Sequence, residues 1–310
     1  HSGIKNIGIV TQKNYHSLMD HLGSGKEWDL HRKRDGLFIL PPFVTKENTG
    51  IYKGTVDALR SCMGYIRRSP QRYVLLTGSH VIYNTTYSEM VNQHIRTGAD
   101  ITIMYTEAEA VETEGQFDDL RLTLDENSRV TDLQVDPFRP ISAAQSSDAF
   151  LMEKTLLEYL LEESVSHAKY DFTRDILLRK VDTLKIYGWK YKGYVARLDS
   201  LEAYFKHNMA LLKREVSEDL FCAQHPIYTK VKDEVPALYG QNAKVANSFV
   251  ADGCIIEGRV ENSVLFRGVR VAKGAVVTNS ILMQGDEIQE DCVLDHVVLD
   301  KSVIVRRGRN

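Results

Sequence analysis

Tyr73-Val74-Leu75-Leu76-Thr77-Gly78-Ser79-His80-Val81-Ile82-Tyr83 is the stretch whose reading decides the fold. Its first half is apolar and β-favouring and ends at a glycine turn, which predicts a buried strand whose C-terminal tip opens into a loop. In open α/β sheets the ligand crevice lies just outside such tips. Gly78 and Ser79 are therefore the first candidate site residues.

Outward from this run, strands are predicted over residues 7–10, 38–40 and 101–104, alternating with helices over 17–22, 55–66 and 87–95. Such alternation predicts βαβ units and a mostly parallel, three-layer α/β sheet of Rossmann-like type. Further strands near 121–124 and 130–135 are expected to extend it as a mixed sheet, with helices following at 153–161, 172–178 and 201–212. From Val245 the rhythm changes. Val245, Val250, Ile255 and Val260 recur at a stride of five, as do Val271, Val276 and Ile281, and then Ile288, Val293, Val298 and Val303. Small or polar residues lie between them, with Gly253, Gly258, Gly268 and Gly274 at expected corners. Repetition at this stride signals a solenoid, here a left-handed parallel β-helix of imperfect hexapeptide repeats. An antiparallel sandwich of short strands is the alternative. The expected organisation is an α/β domain over 1–212, a linker over 213–240 that carries Pro226 and Pro236, and the β-helix over 241–310.

Composition excludes several classes. A net charge of −3 over 310 residues gives no bulk attraction for nucleic acid or an anionic membrane. No apolar run approaches the roughly 18 residues that span a bilayer. Cys62, Cys222, Cys254 and Cys292 form no Cys-x-x-Cys pair, which predicts buried free thiols in a reducing cytoplasm rather than a zinc site or a disulfide framework. The basic residues Lys26, His31, Arg32, Lys33 and Arg34 are interleaved with Glu27, Asp29 and Asp35, as in a solvated loop, with binding of an anionic effector or a partner subunit as the alternative. Arg306, Arg307 and Arg309 form a second basic run, read as a frayed, solvated end, with a phosphorylated metabolite as the alternative.

The Gly78–Tyr83 segment resembles the Gly-Asp-His-Ile-Tyr segment of sugar-nucleotide pyrophosphorylases, specifically the ADP-glucose pyrophosphorylase (glucose-1-phosphate adenylyltransferase) family. Gly54-Thr55-Val56-Asp57-Ala58 is similar to that family's Gly-Thr-Ala-Asp-Ala at a helix start, where free N–H groups suit a nucleotide or phosphate. An ordinary helix cap is the other reading of Gly54, Thr55 and Asp57. The stretch from Asp199 to Met209, the run Asn262-Ser263-Val264-Leu265 with Gly268-Val269, and the run from Ser17 to Trp28 resemble the GlgD-type subunit of that family.

The resemblance implies attack of glucose 1-phosphate on ATP with Mg²⁺ assistance, and it also marks departures. The first metal aspartate of the family falls on Ser79. The second, in Gly-Tyr-Trp-x-Asp-x-Gly-Thr, falls on Arg197 within Gly193-Tyr194-Val195-Ala196-Arg197-Leu198-Asp199-Ser200. The sugar-phosphate lysine of Phe-x-Glu-Lys-Pro falls on Asp136 in Leu133-Gln134-Val135-Asp136-Pro137. Two unit charges about 5 Å apart at an effective dielectric near 20 interact by roughly 3 kcal/mol, so an aspartate in place of that lysine opposes a bound phosphate. Ser146 and Asp175 are sugar-contacting positions that survive, and Phe150 stands where the family has tyrosine. Ser146 read alone is equally a strand-edge hydroxyl, and Asp175 an exposed helix-face charge.

These substitutions imply a GlgD-type subunit that is non-catalytic or weakly active, holds no metal of its own, and modulates a catalytic paralogue, for which Mg²⁺ is the expected cofactor. A homo- or hetero-oligomer, dimer or tetramer, is expected. An active adenylyltransferase is the alternative. A hexapeptide acyltransferase, with His296 as the one histidine of the repeat region, is a third reading. The family's glycine-rich loop would precede His1, so a further strand-loop-helix unit is expected ahead of it, its strand lying between residues 7–10 and 74–77.

Overall fold

The computed structural model describes residues 2–32, 35–42, 51–107, 119–165, 169–229 and 232–308. Two compact units divide it, one of His1–Val195 with Gln224–Lys230 and the other of Ala196–Ala223 with Val231–Asn310. The division thus groups residues 196–212, expected with the α/β domain, with the second unit.

In the first unit β1 (Asn6–Val10), α1 (His16–Leu22) and β2 (Gly36–Leu40) precede α2 (Thr55–Ser61), α3 (Met63–Arg68), β3 (Tyr73–Thr77), β4 (Val81–Ile82) and α4 (Ser88–Thr97). Then come β5 (Ile101–Glu107), β6 (Leu120–Leu124), β7 (Val130–Val135), β8 (Ala144–Glu153), α5 (Lys154–Val165), a π-helix over Phe172–Leu177 running into α6 (Leu178–Lys180), and β9 (Ile186–Lys190). The order in the main sheet is β7-β6-β8-β5-β9, with β3 also on β8.

This corrects the expectation of a mostly parallel sheet. β8 lies antiparallel between β3 and β5, β6 is antiparallel to both β7 and β8, and only β5–β9 is parallel within this sheet. β3 and β5 remain parallel to each other, because both oppose β8, but they are not neighbours. The sheet is mixed. β1 pairs in parallel with β2, as Asn6↔Gly36 through Val10↔Leu40, and neither pairs with β3 among the described residues. With so few strand neighbours, β1 and β3 are half-buried rather than interior.

The sheet is covered on both faces. Ile101, Ile103, Phe150 and Met152 pack on Val56 of α2, Ile66 of α3 and Leu157, Leu160 and Leu161 of α5. Met104, Ala149, Leu151 and Trp189, on the opposite faces of their strands, pack on Met90 of α4. The period-two alternation of each strand produces this αβα layering. The expected helix over 55–66 breaks at Cys62, whose φ/ψ of −97/7 lies outside the helical basin. Gly98 ends α4 at φ 60, where the missing Cβ suits the left-handed cap.

In the second unit β10 (Ala196–Arg197), α7 (Leu201–Ala210) and α8 (Arg214–Leu220) come first. Ser200 caps α7 by accepting the Ala203 N–H at 3.0 Å. Helix α8 occupies part of the expected linker. The left-handed β-helix follows. One sheet stacks Leu238–Tyr239, Ile255–Ile256, Arg270–Val271, Glu287–Ile288 and Ile304–Val305; a second stacks Lys244–Ala246, Arg259–Glu261, Val276–Thr278 and Val293–Asp295. The third stacks Phe249–Val250, Val264–Leu265, Ile281–Leu282 and Val298–Leu299, and every pairing is parallel.

Several residues of the expected apolar repeat sit one place from the core. Val260, Ile281 and Ile288 are buried, but Val245 and Val293 are 37% and 46% exposed, and the inward residues beside Ile255, Val276 and Val293 are Ile256, Val277 and Leu294. Serines line one corner of the coil. Ser248 Oγ accepts the Ser263 N–H, Ser263 Oγ the Ser280 N–H, and Ser280 Oγ the Val297 N–H, each at 3.1 Å. The residues just before them, Asn247, Asn262, Asn279 and His296, all hold positive φ between 42 and 56.

Candidate functional site

The tip of β3 is fixed by β8, through Leu76↔Phe150 and Thr77↔Ala149. The next residue continues the pairing, with the Gly78 N–H donating to Asp148 O at 3.0 Å. Ser79 is exposed in the loop beyond. Ser146 and Phe150 thus reach the strand tip with Gly78, on the neighbouring strand. Between them β8 bulges, its pairing with β5 shifting between Ala149 and Ser146. Ser146 is buried, and its hydroxyl accepts the Asp148 N–H at 3.1 Å. Tyr83 and Tyr87 stand beyond the tip, hydroxyl to hydroxyl at 3.0 Å, and burial pushes both phenols up.

The segment around the π-helix gathers the other candidates. Phe172 meets Phe150 edge to face, with centroids 5.6 Å apart. Arg174 forms an ion pair with Asp136. Asp136, at φ 47, also accepts the Asp119 N–H at 2.8 Å, and its own N–H donates to Asp119 O at 2.8 Å. Asp119 in turn takes the Arg121 Nε at 2.9 Å and Gln145 Nε2 at 2.8 Å, in a buried ion pair. The charge expected to oppose a phosphate at Asp136 is therefore balanced by a neighbouring guanidinium.

Asp175 faces its own helix start. Its carboxylate accepts the Tyr170 and Asp171 N–H groups at 2.9 and 3.0 Å, and these bonds hold it below the usual carboxylate range. Gly54 lies so close to Tyr170 O that a Cβ would collide with it, and the Val56 N–H donates to that oxygen at 2.8 Å. Asp57 accepts the Lys53 N–H at 3.1 Å, while Thr55 is exposed. The α2 terminus thus spends an N–H on the chain itself. Arg197 lies on β10 in the second unit.

Sequence reading missed Asp148, Arg174 and the Asp119–Arg121 pair. The signal for Arg174 was its place in Asp171-Phe172-Thr173-Arg174-Asp175, a charged run that an amphipathic helix reading averages away. Of the basic runs, Arg32 pairs with Asp29, and Arg307 pairs with Asp291 at 3.1 Å and with Glu290 at 3.5 Å. Lys33, Arg34 and Arg309 lie outside the described residues. Cys62, Cys254 and Cys292 are buried and Cys222 half-buried, and none of the four is in a disulfide. His296 accompanies Asp295, Nδ1 to Oδ2 at 2.8 Å, on an exposed corner.

The residues of the strand tip do not fit Mg²⁺ well. That ion takes oxygen donors in near-octahedral geometry, usually with one or two carboxylates. Here Ser79 offers a hydroxyl, and the nearby carboxylate of Asp148 is flanked by the His80 imidazole, Oδ2 to Nδ1 at 3.8 Å. No group of three or more His, Cys, Asp or Glu suited to a metal occurs among the described residues.

A mixed αβα sheet with its candidate site at a strand tip, in a chain that continues into a hexapeptide coil, defines a nucleotidyltransferase-type protein with a β-helical domain. Residues 1–211 match the nucleotidyl transferase family, and residues 234–310 match the GlmU-like C-terminal hexapeptide family. The chain is 35% identical over 306 residues to the glycogen biosynthesis protein GlgD of Bacillus subtilis, covering 98% of this chain and 78% of that one. It is 38% identical over 276 residues to GlgD of Geobacillus stearothermophilus, covering 89% and 70%. It is 32% identical over 310 residues to the glucose-1-phosphate adenylyltransferase of Fervidobacterium nodosum, covering 99% and 74%. The chain belongs to the ADP-glucose pyrophosphorylase (glucose-1-phosphate adenylyltransferase) family and resembles its GlgD-type members.

Proposed function

We propose that this chain acts in glycogen biosynthesis as a GlgD-type subunit that makes little or no ADP-glucose by itself and modulates a catalytic paralogue in a shared cytoplasmic oligomer. The observation that carries this reading is the strand tip. A serine is exposed there in place of a metal-binding aspartate, beside a glycine whose N–H is already bound to β8. Nucleotidyl transfer depends on neutralising phosphate charge by metal and cationic side chains. Ser79, Arg197 and Asp136 each remove part of that support, so the chain holds no Mg²⁺ of its own and the paralogue carries the metal.

An active adenylyltransferase is the second reading, favoured by the near-complete alignment with a glucose-1-phosphate adenylyltransferase. The deciding experiment measures pyrophosphate release from ATP and glucose 1-phosphate, with the chain alone and then mixed with a catalytic paralogue. Negligible release alone and an altered rate or effector response in the mixture support the first reading. Steady turnover by the chain alone supports the second.

A further inference from the structure

We infer that a recess between the β6–β7 turn, the end of α4 and the start of β9 binds a phosphorylated metabolite through Arg129 and Lys185. The recess holds about 610 Å³ and is lined by Thr97, Asp125, Asn127, Arg129, Lys185 and Tyr187. That volume lies in the usual range for small-molecule sites and far exceeds the need of a bare phosphate. The recess is set away from the strand tip. Ile186, between Lys185 and Tyr187, pairs with Ile101, which is level with Met152 and so with Val74 near the start of β3; the tip residue Thr77 is level with Ala149.

The walls are held by their own backbone. In the turn, the Asp125 N–H donates to Arg129 O at 2.9 Å and the Ser128 N–H to Asp125 O at 3.0 Å. Asp125 Oδ1 accepts the Asn127 and Arg129 N–H groups, each at 2.8 Å, as turn-forming aspartates do. Ser128 O accepts the Gly188 N–H at 2.8 Å and Arg129 bridges to Tyr187, which ties the turn to β9. On the other wall the Lys185 N–H donates to Asp100 Oδ2 at 2.7 Å, and Lys185 O accepts the Asp100 N–H at 2.9 Å. Both cationic side chains thus rise from fixed backbone.

The cations are placed without being neutralised. The half-buried Arg129 guanidinium lies over the Tyr187 ring, 5.6 Å from its centroid, and its Nη2 donates to Leu184 O at 2.7 Å. These contacts orient the group and leave most of its donors for a ligand, in the fork geometry that matches phosphate. Neither Arg129 nor Lys185 forms an ion pair among the described residues. In the lining they face one carboxylate, Asp125, an oxygen of which already serves two N–H groups; Asp100, beside Lys185, likewise has an oxygen on a backbone N–H. An anion is therefore the complement the lining calls for, with Asn127 and Thr97 as neutral partners for its hydroxyls. By contrast, Arg307 in the basic run near the end of the chain is already paired with Asp291 and Glu290.

Isothermal titration of ribose 5-phosphate into the full chain, in chloride buffer without metal, tests the site with a sugar phosphate that is no substrate in either functional reading. Saturable binding is expected. It should weaken about tenfold or more in Lys185→Ala, and in Arg129→Lys, which keeps the charge and loses the fork. Thermal melts check that both variants fold. Inorganic phosphate, which has no hydroxyls for Asn127 and Thr97, should bind about tenfold more weakly than the sugar phosphate. Ser79→Asp, which sets a carboxylate at the strand tip, should leave binding unchanged. No saturable binding, equal affinity for inorganic phosphate, or binding untouched by Lys185→Ala overturns the inference. A loss in Ser79→Asp overturns it too, by placing the phosphate at the strand tip.

Discussion

Arg174 on the π-helix pairs with Asp136 at the end of β7, and the other Asp136 oxygen holds the Asp119 N–H at 2.8 Å. One aspartate thus serves a guanidinium and a backbone amide at once. Asp136→Asn keeps the amide's acceptor and loses the ion pair; because Arg174 is more than half exposed, the cost is expected to stay under about 1 kcal/mol. Asp136→Lys removes the acceptor and sets a second cation against Arg174, at an expected cost of about 1–3 kcal/mol. Urea unfolding of both variants measures the difference, and equal losses would contradict the double role.

On the reading proposed above, the same geometry constrains any attempt to build a catalytic site. Ser79→Asp, Arg197→Asp and Asp136→Lys, combined in one chain, are expected to raise pyrophosphate release more than any single change. A single Asp136→Lys change gains little, because the added lysine meets Arg174 before it meets a phosphate. Release by the unaltered chain in the ordinary enzyme range of about 1–1000 per second would remove the ground for the comparison.

Asp286 is fully buried in the β-helix, with one oxygen accepting the Val303 N–H at 2.9 Å and the other without a partner. Burial pushes its carboxyl up, against the pull of its backbone hydrogen bonds. Since the folded value lies above the unfolded one, its favourable contribution is complete below the unfolded value of about 3.9 and is lost as pH rises through the folded value. Melting curves from acid to neutral pH should show Asp286→Asn gaining stability relative to the parent as pH rises. A difference that does not change with pH would show that the carboxyl titrates alike in both states.

How much of this was legible in the sequence depended on whether a residue's pattern had one solution. Tyr73–Thr77 is apolar and stops at glycine, so its strand and its tip were readable. β8 was not, because Gln145, Ser146, Ser147 and Asp148 put four successive polar residues into a ten-residue central strand at the site itself. Propensity argues against a strand there, and packing between β3 and β5 overrides it. In the coil, Ile255-Ile256, Val276-Val277 and Val293-Leu294 each offer two apolar neighbours, so the stride was legible while the inward residue was not. Arg174 and Asp136 lie 38 positions apart and meet only through the tertiary fold.

The serine corner supplies the last prediction. Ser263 and Ser280 are fully buried, and each accepts an N–H from the following coil while donating to a carbonyl two residues back, Glu261 O at 2.7 Å and Thr278 O at 2.6 Å. Ser280→Ala leaves the Val297 N–H and the Thr278 carbonyl without that hydroxyl, and no water reaches a fully buried position cheaply. The expected loss is about 1–3 kcal/mol, seen as a lower urea midpoint with an unchanged slope. Ser248→Ala removes the acceptor of the Ser263 N–H at the exposed first coil, where water can replace it, and should cost clearly less. If the two variants lose the same stability, the ladder is held by its strands rather than by its hydroxyls.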